Sequence, residues 1–350
     1  GRYSGQLEQA GTHGSDFPRQ FVVYPDLLEQ AGYFVGYTGK GWGPGNWENS
    51  GRTRNPAGDQ FSDRQLETVP ASGIRRLDYA GNFEQFLKAR PKNRPFCFWY
   101  GGSEPHRVFE QGIGKELKDV EVPAFLPDTP EIRSDILDYC VEIEHFDRHL
   151  GRMLEQLAEI GELDNTIVLV TSDNGMAFPR AKANCYEYGI HVPMAVRWPA
   201  QIPGGRIIDD LVSFVDIAPT FLEAAGQSPT EEMVGKSLMS TLANEQEGLV
   251  DASREFVFSA RERHSCSRWN NRTYPQRAIR SQRFLLIHNF RPDRWPAGAP
   301  QKYEAGGELG PPHGAYHDIH ACPTWTFLVD GPEHPEISRY FHLAVDKRPE

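Results

Sequence analysis

The chain has 350 residues, 39% of them hydrophobic, and a formal net charge of -11. That length suits one large α/β domain with an appended piece, or two domains. The acidic balance argues against bulk binding to nucleic acid or anionic membranes, so a polyanionic partner needs a local cationic pocket.

No apolar run is long enough to span a bilayer, and no signal-peptide pattern is visible. The chain starts Gly1-Arg2-Tyr3 without Met, so an upstream segment is expected. Cys97, Cys140, Cys185, Cys266 and Cys322 lie far apart, with no CxxC pair and no zinc spacing. Their odd number cannot form a complete internal disulfide set, and buried free thiols are expected.

In chain order, Pro25 to Ala31 reads as a short helix stopped by Gly32. Tyr33 to Thr38 reads as a strand that runs into Gly39-Lys40. Residues 43 to 75 are rich in Gly, Asn, Arg and Pro and read as a long surface loop, followed by a helix over Leu77 to Ala89. Arg94 to Tyr100 is a second apolar strand, leading into Gly101-Gly102-Ser103-Glu104-Pro105-His106. Thr129-Pro130 is an N-cap with Pro at the first helical position. From there to about Ile160 the apolar residues Ile136, Cys140, Ile143, Leu150, Leu154 and Leu157 recur at helical spacing.

Thr166 to Thr171 is a third buried strand, and Asp216 to Ala225 a further helix. Strands alternating with helices predict an α/β fold, a mostly parallel sheet sandwiched by helices. Beyond about Ser253 the pattern changes. Glu255 to Ala260 and Gln282 to His288 read as strands of a smaller, antiparallel α+β region, Pro292 to Gly314 as loop, and Pro335 to Val345 as a last helix. The expected division is residues 1–252 and residues 253–350.

Three strands end in glycine-containing turns that carry polar groups: Gly39-Lys40, Glu104-Pro105-His106 and Asp173-Asn174-Gly175. In an open parallel sheet the carboxyl ends of the strands share one edge, where ligands bind. Asp173 and Asn174 offer hard oxygens suited to Ca2+ or Mg2+. Lys40 and Lys182 are point charges suited to a tetrahedral oxyanion, and His106 can move a proton near neutral pH. Plainer readings stand beside these. Asp-Asn-Gly is a common turn, Lys40 a strand-end lysine, His106 a surface turn residue, Arg180 and Lys182 a solvated pair, and Trp42 packing under a loop.

Thr38-Gly39-Lys40, Pro105-His106, Thr171-Ser172-Asp173-Asn174-Gly175 and the trailing Lys182, Tyr186-Glu187, Gly189 and Val192-Pro193 resemble the ordered motifs of type I sulfatases. These are formylglycine-dependent members of the alkaline phosphatase-like superfamily. Ser103 to Arg107, Val122 to Thr129, Asp173 to Asn184 and Ala278 to Phe290 resemble its heparan sulfamidase branch, which implies N-sulfoglucosamine or a related glycosaminoglycan sugar as substrate.

The resemblance implies a hydrolase in which a formylglycine hydrate attacks sulfur. Asp173 and Asn174 would help to hold a calcium ion, Lys40 and Lys182 the sulfate oxygens, and His106 would serve the leaving group. Arg107, Arg180 and His264 would contact substrate, although each also reads as an ordinary surface charge. An exported location, periplasmic, extracellular or lysosomal, is implied in the same way, and homodimer formation stays open.

Three departures stand out. The Cys/Ser-x-Pro-x-Arg nucleophile motif does not occur in the sequence and is expected upstream of Gly1, together with a first strand. Trp42 stands where many relatives have His, and His191 where an arginine is usual. Two other readings remain open here: a phosphate mono- or diester hydrolase of the same superfamily, and a glycan-binding homologue without turnover.

Overall fold

The computed structural model describes residues 1–12, 14–43, 45–264, 272–294 and 322–330. Its strands in chain order are β1 (Ser15–Asp16), β2 (Phe34–Gly39), β3 (Gly45–Asn46), β4 (Asp59–Gln60), β5 (Phe96–Gly101), β6 (Val168–Thr171), β7 (Met194–Arg197), β8 (Val257–Arg261), β9 (Gln276–Arg280) and β10 (Leu285–Asn289). The α-helices are α1 (Tyr24–Gln30), α2 (Tyr79–Ala89), α3 (Pro130–Glu159), α4 (Glu187–Ile190), α5 (Ile217–Ala224), α6 (Met239–Ala243) and α7 (Pro323–Val329). The helix expected over Pro335 to Val345, and Cys266, lie outside the described residues, as does most of the expected loop from Pro292 to Gly314.

β2 is central to a parallel sheet of order β4-β2-β5, while β6 pairs antiparallel with β7 and β1 pairs parallel with β3. β8, β9 and β10 form a separate antiparallel sheet. The expected plan of α/β elements followed by a smaller antiparallel region is therefore present. β7, β9 and α7 were not foreseen. β9 (QRAIR) is polar at three of its five positions, so its period-two burial is hard to see in the letters.

The core beside β2 and β5 is aromatic. Phe83 and Phe86 of α2 meet Met153 and Leu157 of α3, with Phe34, Phe61, Phe96 and Phe98 packed around them. Phe34 and Phe86 stack at 4.9 Å between ring centres. This cluster fixes α2 and α3 against the sheet, and so fixes where β2 and β5 end.

α3 departs from its sequence reading. The helical period holds, but the stripe it buries runs through Asp135, Asp138, Glu142, His145, His149, Met153 and Leu157. Ile143, expected inside, is 38% exposed. The apolar residues therefore marked the correct period and, in the middle turns, the wrong face.

Most of the buried polar groups have partners, as burial demands. Asp138 accepts from the backbone N–H groups of Gly112, Ile113 and Gly114 at 2.8, 2.9 and 2.8 Å. The Ala80 N–H donates to His149 Nδ1 at 3.3 Å. Asp135 takes both arms of the Arg107 guanidinium, at 2.7 and 3.0 Å, and accepts from the Thr324 hydroxyl of α7 at 2.7 Å.

The C-terminal segments are tied to the rest of the chain by charge. Arg280 of β9 donates to Glu187 of α4 at 2.9 and 3.1 Å. Arg254 pairs with Asp216 at 2.9 Å. The described thiols are free, and burial pushes Cys97 and Cys322 up to about 12, far from reactive thiolates.

The Arg107–Asp135 pair is buried on both sides, with 4% and 2% side-chain exposure. Removing one member strands the other charge at a cost of about 3–5 kcal/mol. Asp135→Ala should therefore lower the thermal midpoint by many degrees, measured by calorimetry, while a surface control such as Asp164→Ala barely moves it.

Candidate active site

The site grows from two adjacent strand ends. Gly39 pairs in register with Gly101, and the Lys40 N–H donates to the Gly101 carbonyl at 2.7 Å. The Lys40 carbonyl in turn accepts from Trp99 Nε1 at 3.0 Å. The approach is too close for side chains. A Cβ on Gly39, whose φ is +75°, would lie 2.2 Å from the Gly101 carbonyl oxygen, and a Cβ on Gly101 would lie 1.8 Å from that of Lys40. The glycines thus set the height at which Lys40 leaves the sheet.

The turn after β5 carries Glu104 and His106. Glu104 is buried, accepting from the Arg75 N–H at 2.9 Å and the Tyr79 hydroxyl at 2.7 Å. His106 is exposed at the rim. Its Nδ1 lies 2.7 Å from the Arg107 carbonyl. A carbonyl only accepts, so Nδ1 carries the proton and Nε2 presents its lone pair.

That lone pair faces the Lys182 ammonium at 3.3 Å. Lys182 is 5% exposed and sits in a tight loop between β6 and α4. Its N–H donates to the Met176 carbonyl at 3.0 Å, its carbonyl accepts from the Asn184 side chain at 3.0 Å, and Arg180 and Ala183 take positive φ on either side. Phe178 and Ala181, both fully buried, anchor the loop.

The third strand end brings Asp173 and Asn174. Gly175 packs against α4 so closely that a Cβ there would lie 1.7 Å from the Tyr188 carbonyl oxygen. Asp173 stays exposed, near enough to Lys40 to be the strongest charge acting on it. Partial burial pulls the Lys40 ammonium below its ordinary value; Lys182 and Arg75 add to this, while Asp173 and Glu104 oppose it.

Lys40, Arg75, Glu104, His106 and Arg107 line a cavity of about 280 Å³, together with Gly73, Ser103 and Glu142. The structure thus brings Lys40, His106, Lys182 and Asp173 to one rim although they are distant in sequence. Glu104, Arg75 and Glu142 belong to the same hollow and were missed as site residues. Glu104 stood in a motif already singled out, whereas Glu142 carries no local signal, because a glutamate in the middle of a helix reads as solvent-facing.

The expected substrate contacts fare differently. Arg107 lines the cavity but is held by the protein itself. Its guanidinium is engaged by Asp135, donates from Nε to the Ala177 carbonyl at 2.7 Å, and lies between the rings of Phe109 and Phe178. These bonds fix its position at the cavity wall. Arg180 lies 4.5 Å over the Tyr186 ring. His264 is half-buried just beyond β8, on the segment whose Arg261 reaches Asn184 Oδ1 at 3.4 Å. Trp42 packs against Phe17 at 4.9 Å, and His191 is exposed and paired with Glu187 at 3.1 Å.

Among the described residues, no group of three or more His, Cys, Asp or Glu side chains is placed to hold a metal ion. Asp173 and Asn174 fit a hard cation in kind, as adjacent oxygen donors at a strand end, but two residues fall short of the 6–8 oxygens that calcium takes.

Comparison with known proteins places the chain. Residues 2–227 match the family model described as Sulfatase, and residues 180–297 match N-sulphoglucosamine sulphohydrolase, C-terminal. The chain belongs to the sulfatase family. Membership implies, in general, a formylglycine and a divalent metal.

Among curated relatives, the human N-sulphoglucosamine sulphohydrolase is 30% identical over 303 residues, covering 76% of this chain and 56% of that protein. An ulvan-active sulfatase of Formosa agariphila is 31% identical over 184 residues, covering 53% of this chain and 29% of that protein. The chain spans little more than half the length of these relatives at most. A solved structure of BT4656 in complex with its substrate D-glucosamine-2-N,6-O-disulfate superposes with a TM-score of 0.63 at 20% identity, covering 83% of this chain and 77% of that one. That likeness shows the fold, which is alkaline phosphatase-like.

Glu142 supplies a test of the site's electrostatics. Burial, then the neighbouring Glu104 charge, pushes its carboxyl from 4.5 up to about 8, opposed by Arg107. A raised folded pKa makes a stability contribution that is whole below the unfolded value of 4.5 and lost as pH rises toward 8. The thermal midpoint of Glu142→Gln minus that of the wild type should therefore rise steadily between about pH 5 and pH 8. A difference that stays constant over that range contradicts the assignment.

Proposed function

We propose that the chain is the larger part of a hydrolase that removes sulfate from a sulfated glycan, with N-sulfoglucosamine or a heparan-type sugar as the favoured substrate. The observation that carries this reading is the meeting of Lys40, His106 and Lys182 beside Asp173 at one rim. The likeness to the human N-sulphoglucosamine sulphohydrolase supports the substrate class.

In this reading Lys40 and Lys182 bind sulfate oxygens. Their charges stand in place before the substrate arrives, which is how fixed cations favour charge that develops in a transition state. His106 and Lys182 hold one proton along the Nζ–Nε2 line at 3.3 Å. As the amine or alcohol departs, that proton moves onto it from the couple, by way of Nε2 or directly from Nζ. The Nδ1 bond to the Arg107 carbonyl keeps the ring oriented for this, and the Arg107–Asp135 pair holds that backbone in place.

Asp173 and Asn174 would hold part of a calcium ion, whose charge would neutralise sulfate oxygens. Formylglycine would supply the attacking oxygen, from a segment outside these 350 residues. Arg180 and His264 remain proposed substrate contacts. Residues 1–252 would form the catalytic domain and residues 253–350 a smaller subdomain that leans on it through Arg261 and Arg280. The reading also proposes an exported protein. No helix among the described residues is long and apolar enough to cross a membrane.

The test uses a full-length protein carrying the nucleophile segment. Sulfate release from N-sulfoglucosamine should exceed that from an O-sulfated sugar. Lys182→Ala and Asp173→Ala should each lower kcat by about 10²-fold or more with the fold retained. His106→Ala should cost most with a poor leaving group and least with an aryl sulfate. Equal activity on both leaving groups contradicts the proton role, and full activity in Asp173→Ala removes the metal assignment.

A further inference from the structure

The cavity is lined by two unlike sets of groups. Of its lining residues Lys40 and His106 are exposed, whereas Glu104 and Glu142 are buried. Glu104 is fully engaged by Arg75 and Tyr79. Glu142 is not. It is 1% exposed, and neither carboxyl oxygen has a hydrogen-bond partner in the structure.

A buried carboxyl without partners is costly, and native structures rarely keep one without a use. Residue 73 opposite is a glycine. A Cβ there would come within 3.0 Å of Glu142 Oε1, so at this point only glycine backbone lies against the buried oxygen. Every other buried acidic group on the inner face of α3 is spoken for: Asp135 by Arg107 and Thr324, Asp138 by three backbone N–H groups.

The chemistry of the wall selects its ligand. Glu104 repels a second anion there, and Arg75 and Arg107 oppose a free cation. What fits is an uncharged group that both donates and accepts, as a sugar hydroxyl does. We propose that Glu142 is a substrate-binding residue whose carboxyl takes hydroxyls of the sulfated sugar unit, on the side turned away from Lys40 and His106.

This inference rests on the sulfatase reading. It adds an orientation to it: the sulfate lies beside Lys40 and His106 and the hydroxyl face of the sugar lies inward. A second sulfate or a carboxylate on that inward face would be rejected.

Steady-state kinetics of the full-length protein test it. Glu142→Leu should raise KM about tenfold while kcat stays within about threefold, the size expected for one or two lost hydrogen bonds. Glu142→Gln, isosteric and still able to donate and accept, should recover most of the affinity. In the wild type, substrate lacking one inward hydroxyl should show the same tenfold loss. In Glu142→Leu, deleting that hydroxyl should cost nothing further.

Unchanged KM in both variants overturns the proposal. So does a fall in thermal midpoint with KM intact, which marks a purely structural carboxyl, and so do additive losses for every deoxy substrate. A wild-type protein without turnover on any sulfated sugar sinks the sulfatase reading instead, and the role of Glu142 goes with it.

Discussion

Like charges have been crowded beside the ends of β2 and β5, with Lys182 brought in by the loop that follows β6. Partial burial, with Lys182 and Arg75 adding to it, pulls the Lys40 ammonium below its ordinary value, and Asp173 and Glu104 are the opposing charges. Such crowding lowers the stability of the empty site and raises its affinity for an anion. The close passage of Gly39 past Gly101 places Lys40, and the loop built on Phe178 and Ala181 brings Lys182 to His106. In a chain of net charge -11, this local reversal of sign is the feature on which the functional reading turns.

The support beneath the rim is polar rather than oily. α3 presents acids and histidines inward along a stripe, and each engaged member fixes a different piece of the surroundings. Asp135 holds Arg107, and through it the backbone that orients the His106 ring. Asp138 ties down the loop at residues 112–114. Tyr79 links Glu104 to the Ser103 N–H at 3.0 Å, joining α2 to the turn that carries His106. Positioning by hydrogen bonds with fixed geometry suits a site that has to meet a tetrahedral anion at defined points.

Much of this was legible in the letters. Thr38-Gly39-Lys40 and Asp173-Asn174-Gly175 announce strand ends, because a β run broken by glycine has few other meanings. The helix over Pro130–Glu159 and the strands over Phe34–Gly39 and Phe96–Gly101 were visible from period and apolar runs. What stayed hidden is what only packing decides. Arg107 reads as a free surface charge until Asp135, 28 residues on, is seen to claim it. Glu142 reads as solvent-facing until the tertiary fold turns it inward, and Ile143 reads as core until the same turn exposes it.

The most direct measurement is a crystal structure of the full-length protein with a sulfated monosaccharide bound. The sulfate group is expected where Lys40, His106 and Lys182 meet, its oxygens about 3 Å from both Lys40 Nζ and Lys182 Nζ, with His106 facing the bridging nitrogen or oxygen. A sulfate group seated elsewhere, with Lys40 and Lys182 left untouched, would contradict it.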